Sequence, residues 1–149
     1  MTTQNGGPVV GLGYTGNLSW LDARCLFLAR VGSHAYGMAT PESDEDFAGV
    51  AVPPKKYLLG YLNRFEQALW KHPSGGDVCV YGLHKFVGLA ADANPNVLEL
   101  LFVEPRWTTP TWEKLIGGRA WFLSRKIQHT FSGYAVSQIK RIERHRKWL

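Results

Sequence analysis

An apolar run from Cys25 to Val31 empties directly into Gly32-Ser33, and a second extended run, begun at Asp44, is stopped after Val52 by Pro53-Pro54. Few folds accommodate that succession. A buried strand, a small-residue turn, turn chemistry at Thr40-Pro41-Glu42-Ser43 and a returning strand make a hairpin-like pair, which brings Ser33 close to Asp44 and Asp46. Side chains alternate faces along a strand, so Asp44 and Asp46 share one side and Glu45 takes the other. Two carboxylates on one side suit a divalent cation, which prefers hard oxygen donors. The Gly-Ser turn adds exposed backbone amides and a hydroxyl, groups that cradle phosphate, and Ser33 follows as a phosphate contact.

Further along, His72-Pro73-Ser74-Gly75-Gly76 is a turn, and Asp77 to Tyr81 reads as a third strand with a carboxylate at its head. Asp77 is either a third carboxylate, as metal ligand or as base for an attacking hydroxyl, or an ordinary turn aspartate; the pattern leaves both open. Leu83 to Ala93 carries apolar residues at helical spacing and is broken by Asn94-Pro95. Val97 to Phe102 resumes as a short helix, which Glu104-Pro105 stops. Thr111 to Ile116 and Arg119 to Lys126 read as short helices, and Ser132 to Trp148 as a final basic one. Tyr57 to Trp70 has no clean period and reads as irregular or partly stranded. Before the first strand, a short helix to Arg24 is expected, capped by Asn17 or Ser19.

At 149 residues, 45% hydrophobic, the chain suits one compact domain with a proper core. The organisation expected is a flexible lead-in over 1–16, loosest over 1–8, a core over 17–131 and a basic C-terminal helix over 132–149. Net charge +5 permits an anionic partner without requiring one. Its distribution says more, since five of the seventeen Lys and Arg residues stand in the last ten positions. Lys140, Arg144 and Lys147 fall on one helix face, either a solvated stripe or a surface for triphosphate or an RNA backbone. Cys25 and Cys79 are too few for a disulfide framework or a cysteine zinc site and are expected as buried free thiols. No apolar run approaches the roughly 20 residues that span a bilayer, and Met1 to Pro8 lacks signal-peptide character, so a cytoplasmic protein without a membrane partner is the expectation. The string Gly11-Leu12-Gly13-Tyr14-Thr15-Gly16 matches G-x-G-x-x-G, but it lacks the solid strand before it and the long helix after it that a dinucleotide site needs.

Gly32-Ser33, ten intervening residues and Asp44-Glu45-Asp46 resemble the signature of the DNA polymerase beta-like nucleotidyltransferase superfamily. With Tyr36-Gly37, Thr40, Ser43, Gly49-Val50, Asp77, Tyr81, Leu83, Lys85-Phe86, Asn94-Pro95-Asn96, Leu98 to Phe102, Gly133-Tyr134-Ala135 and Gln138, the chain looks more narrowly like the nucleotidyltransferases that accompany RNA-repair genes. The resemblance implies an α+β fold, a small mixed or antiparallel sheet flanked by helices. It implies two divalent ions, Mg2+ or Mn2+, and transfer of a nucleoside monophosphate from an NTP to a hydroxyl or phosphate acceptor, an RNA or DNA end among them. Gly32 and Ser33 then take the phosphate-binding role, Asp44 and Asp46 the metal roles and Asp77 that of the third carboxylate. Lys140 and Arg144 are the nucleotide-binding residues expected on the basic helix. Relatives of this kind continue beyond the helix that Gly133-Tyr134 opens, so the stop at Leu149 implies a missing helical region or a compact version.

A catalytically silent nucleotide- or RNA-binding module is the alternative, although a silent chain has little reason to keep three mutually repelling carboxylates. His34 and Tyr36 follow the phosphate turn and are nucleotide contacts or surface packing. Lys85 reads as an exposed helix lysine. Trp70, Trp107, Trp112 and Trp121 are packing residues before they are base-stacking ones, and Glu99 reads as a buried partner for an arginine.

Overall fold

The computed structural model describes residues 11–61 and 64–146. The expected loose tail, Val9-Val10, Lys147 and Trp148 lie outside the described residues. The strands are β1 (Cys25–Arg30), β2 (Phe47–Ala51), β3 (Gln67–Lys71), β4 (Asp77–Gly82) and β5 (Pro105–Thr108). They form one five-stranded sheet in the order β3-β4-β2-β1-β5. Every neighbouring pair is antiparallel except β2 and β4, so the sheet is mixed. The helices are α1 (Lys55–Leu59), α2 (Leu83–Ala91), α3 (Pro95–Leu98), α4 (Pro110–Gly117) and α5 (Lys126–Arg146). None of the described helices is long and apolar enough to cross a membrane.

The central strands are apolar on both faces because both faces are covered. On one side Phe27, Ala29, Ala48 and Val50 pack under Phe86 and Ala90 of α2, Val97 and Leu98 of α3 and Trp112 of α4. Phe27 stacks on Trp112 with ring centroids 4.4 Å apart. On the other side Leu28, Phe47, Ala51, Val78 and Val80 are closed over by Leu12 and Leu21, with Trp20, Trp70 and Trp107 at the margin. Of the four tryptophans weighed above, Trp112 is core, Trp70 and Trp107 are partly buried, and Trp121 is exposed.

Several expectations change. The segment Tyr57 to Trp70 yields α1 and the edge strand β3, whose alternating half-buried positions were masked by mixed aromatic and polar residues. β5 follows the expected stop at Glu104-Pro105, and proline is tolerated there because it opens an edge strand. Before β1 there is only a 3-10 turn, Asp22–Arg24, with no side-chain cap. Arg119–Phe122 is likewise 3-10, whereas α5 begins six residues before Ser132. Within the expected flexible lead-in, Leu12 is buried and its carbonyl accepts from Trp70 Nε1 at 3.0 Å. Among the described residues the glycine string is followed by the 3-10 turn Asp22–Arg24 and not by a long helix. Cys25 is buried and its thiol is pushed up to about 12 by burial, whereas Cys79 is only half-buried.

Gly49 lies at the centre of β2, where a Cβ would sit 2.7 Å from the Phe27 carbonyl oxygen and 3.1 Å from Leu28. The close approach of β1 to β2 depends on its having no side chain. Gly49→Ala is expected to destabilise the fold by about 1–3 kcal/mol through overpacking, read as a lower urea midpoint at unchanged slope.

Candidate functional site

Register places the ends of four strands along one rim of the sheet. Arg30, the last residue of β1, pairs with Phe47, the first of β2; Phe47 pairs with Val78 of β4; and Asp77 pairs with Lys71, the last residue of β3. Gly32, Asp46, Asp77 and Lys71 therefore come to the same edge from distant parts of the chain.

Asp44-Glu45-Asp46 precede the strand instead of forming its first rungs, since β2 begins at Phe47. The pairing nonetheless reaches Asp46, whose carbonyl accepts from Val31 N–H at 2.9 Å. Alternation acts as expected at Glu45, which pairs with Arg30 at 3.4 Å. The Asp46 carboxylate is held from two sides. Its Oδ1 accepts from the Asp77 backbone N–H at 2.9 Å. Its Oδ2 lies 3.2 Å from where a Cβ on Gly32 would be, and Gly32 adopts φ +65°, a conformation that glycine takes without strain. Ser33 follows in a 3-10 turn, Gly32–His34. The hairpin turn between β3 and β4 presses on the same segment: a Cβ on Gly76 would collide with the Glu45 carbonyl, and one on Gly75 would lie 3.6 Å from Asp44 Oδ1.

The Asp77 backbone thus reaches the site, while its carboxylate pairs with Lys71 Nζ at 2.8 Å. Lys71 is raised above 10.5 by Asp77 first and also by the charges of Asp44 and Asp46. One ammonium therefore feels all three aspartates. Among the described residues no group of three or more His, Cys, Asp or Glu side chains stands at metal-holding range. Asp44 and Asp46 fit a divalent cation by donor chemistry, with Asp46 oriented by an amide and its second oxygen open to a side-chain-free cradle.

Lys140 and Arg144 are exposed, joined by a 3.4 Å bond from Arg144 Nε to the Lys140 carbonyl, and α5 packs on α3. Lys147 is outside the described residues. Lys85 is paired with Glu66 at 3.1 Å. Glu99 has no arginine partner among the described ion pairs, and its Oε1 is buried without a hydrogen bond. Lys71 went unnoticed in the sequence; its signal was a cation ending an alternating run just before a Gly-Gly turn.

The sequence model of the RNA repair pathway DNA polymerase beta family, a family of the nucleotidyltransferase type, matches residues 18–148. The chain is also similar to an uncharacterized 38.9 kDa protein from the nrdC-mobD intergenic region of Enterobacteria phage T4. The two are 29% identical over 121 residues, a stretch covering 72% of this chain and 35% of the phage protein. The chain thus matches well under half the length of that relative.

The Lys71 ammonium is expected to titrate above 10.5, and Asp77→Asn to bring it back toward that value, followed by NMR of the lysine side chains. A raised folded value means that the pair's contribution is complete below 10.5 and fades as pH rises through the folded value.

Proposed function

Because the chain belongs to the RNA repair pathway DNA polymerase beta family, we propose that it transfers a nucleoside monophosphate from a nucleoside triphosphate to a hydroxyl or phosphate acceptor, an RNA or DNA end among them. The observation that carries this reading is the convergence on Asp46. One of its oxygens is fixed by Asp77 N–H, the other faces Gly32, and the Gly32–His34 turn begins there.

In the reaction the acceptor oxygen bonds to the α-phosphorus, the bond from that phosphorus to the α,β-bridging oxygen breaks, and pyrophosphate leaves. Gly32 and Ser33 bind phosphate oxygens through backbone N–H groups and the hydroxyl. Asp44 and Asp46 would hold the divalent ions, two Mg2+ or Mn2+, which would supply neutralisation of phosphate charge when bound. When the acceptor is a hydroxyl, Asp77 takes its proton, and Lys71 holds the carboxylate in place at the rim. Lys140 and Arg144 offer a cationic stripe to the phosphates of triphosphate or acceptor.

The second reading, a catalytically silent nucleotide- or RNA-binding module, is favoured by one observation: the third carboxylate is already engaged by Lys71.

Incubation with each labelled NTP, Mg2+ or Mn2+ and pooled RNA and DNA ends tests the two. Transfer is expected, and Asp44→Ala with Asp46→Ala is expected to lower it by roughly a thousandfold or more. Transfer surviving the double change removes the metal assignment, whereas Mg2+-dependent nucleotide binding without transfer selects the silent module. Lys140→Ala with Arg144→Ala is expected to weaken RNA binding and flatten its log–log salt dependence by about one unit per lost phosphate contact.

A further inference from the structure

A groove opens beside the rim on its β5 side. Its first cavity, about 670 Å³, is lined by Arg30, His34, Tyr36, Glu99, Phe102 and Arg106, among others. A second of about 440 Å³ shares Tyr36, Glu99 and Phe102 and runs on to Tyr134 of α5. Two aromatic side chains here are exposed, Tyr36 at 60% and Phe102 at 50%, the Phe102 ring carrying the Arg119 guanidinium 4.9 Å over one face. Glu99 lines both cavities, and its Oε1 has no hydrogen-bond partner. An acceptor sheltered in that way gains when a ligand brings it a donor.

The strand order fixes where this groove lies. Across the rim come Lys71, Asp77, Asp46, the Gly32–His34 turn and then Pro105-Arg106 at the start of β5. Neighbouring strands are roughly 4.8 Å apart, so the groove starts next to the phosphate turn on the side away from the aspartates. The groove is thus within reach of the nucleoside of a nucleotide whose phosphates lie at Gly32-Ser33.

We propose that the groove takes the nucleobase of the triphosphate and that Glu99 makes it selective for guanine, an inference that rests on the transferase reading for the placement of the phosphates. A carboxylate only accepts hydrogen bonds. Guanine presents two adjacent donors, N1–H and the N2 amino group, to such an acceptor. Adenine and cytosine set a lone-pair ring nitrogen beside their amino group, and uracil flanks its N3–H with two carbonyls, so each brings an acceptor against the carboxylate. Tyr36 and Phe102 supply the stacking faces, which serve any base. The terminal torsion of a glutamate is broad, so rotation about it turns Oε1 from its buried position toward the cavity. The Tyr36 hydroxyl is pushed up to about 12, by burial first and by the Glu99 carboxylate next, in keeping with its place beside Glu99 in both cavities.

Calorimetric titration of the full chain with GMP, AMP, CMP and UMP in EDTA reads the groove without the metals. GMP is expected to bind about tenfold or more tightly than the other three. Glu99→Gln, checked for folding by thermal melting, is expected to erase that preference and leave AMP affinity within about twofold of the starting protein. Tyr36→Ala removes an exposed ring and is expected to weaken all four nucleotides together, by roughly five- to a hundredfold. Equal affinities for the four, a guanine preference that persists in Glu99→Gln, or no mononucleotide binding each overturn the proposal. Its failure separates from that of the transferase reading. Selective GMP binding by a chain that transfers nothing keeps the groove and removes the reaction, and transfer from all four NTPs with equal efficiency does the reverse.

Discussion

The bond from the Asp77 amide to the Asp46 carboxylate ties together two strands that are parallel neighbours but stand thirty-one residues apart in the chain. Around it the rest of the rim is arranged. The hairpin turn before β4 needs glycine at 76 because its backbone lies against the Glu45 carbonyl, and the turn after β1 needs glycine at 32 because its backbone lies against the Asp46 carboxylate. Both close approaches trade side chain for proximity. The outcome is a short acidic segment gripped by backbone on two sides.

Charge at this rim is balanced on each face separately. Glu45 turns to Arg30 on one side, while Asp77, with Asp44 and Asp46 nearby, draws Lys71 on the other. Such exposed pairs contribute little to stability, because water screens them and long side chains lose freedom in forming them. Their effect is local: they set which carboxylate oxygens are engaged and which are open. Asp77 shows this, since its amide and its carboxylate serve different partners.

What was legible in the sequence follows from what was physically local. The strand into Gly32-Ser33, the opposed orientation of Glu45 and the strand headed by Asp77 each follow from alternation and turn chemistry within a few residues. So do α2 and its break at Asn94-Pro95. β3 showed only as an irregular or partly stranded stretch and β5 was hidden, because edge strands bury only part of one face and so carry a weak period; β5 also opens on a proline that reads as a stop. Asp44 and Asp46 were placed on the strand itself, whereas they lie in its extended approach. Lys71 and the unpartnered oxygen of Glu99 depend on neighbours far along the chain, and no periodicity announces those. Glu99 was expected to meet an arginine; Arg119, the arginine nearest in the chain after Arg106, donates instead to the Leu101 carbonyl.

The parallel pairing of β2 with β4 also dictates an order of events. Adjacent parallel strands cannot be joined by a tight turn, so the chain must pass through α1 and β3 before β4 can dock. Such non-local pairings close late, after the entropy of a long loop has been overcome. During synthesis the hairpin of β1 and β2 can form while Asp46 still lacks its amide partner and Gly76 has not arrived to press on Glu45. A nascent or partly unfolded chain therefore displays the whole Gly-Ser and aspartate signature without the arrangement that orients it.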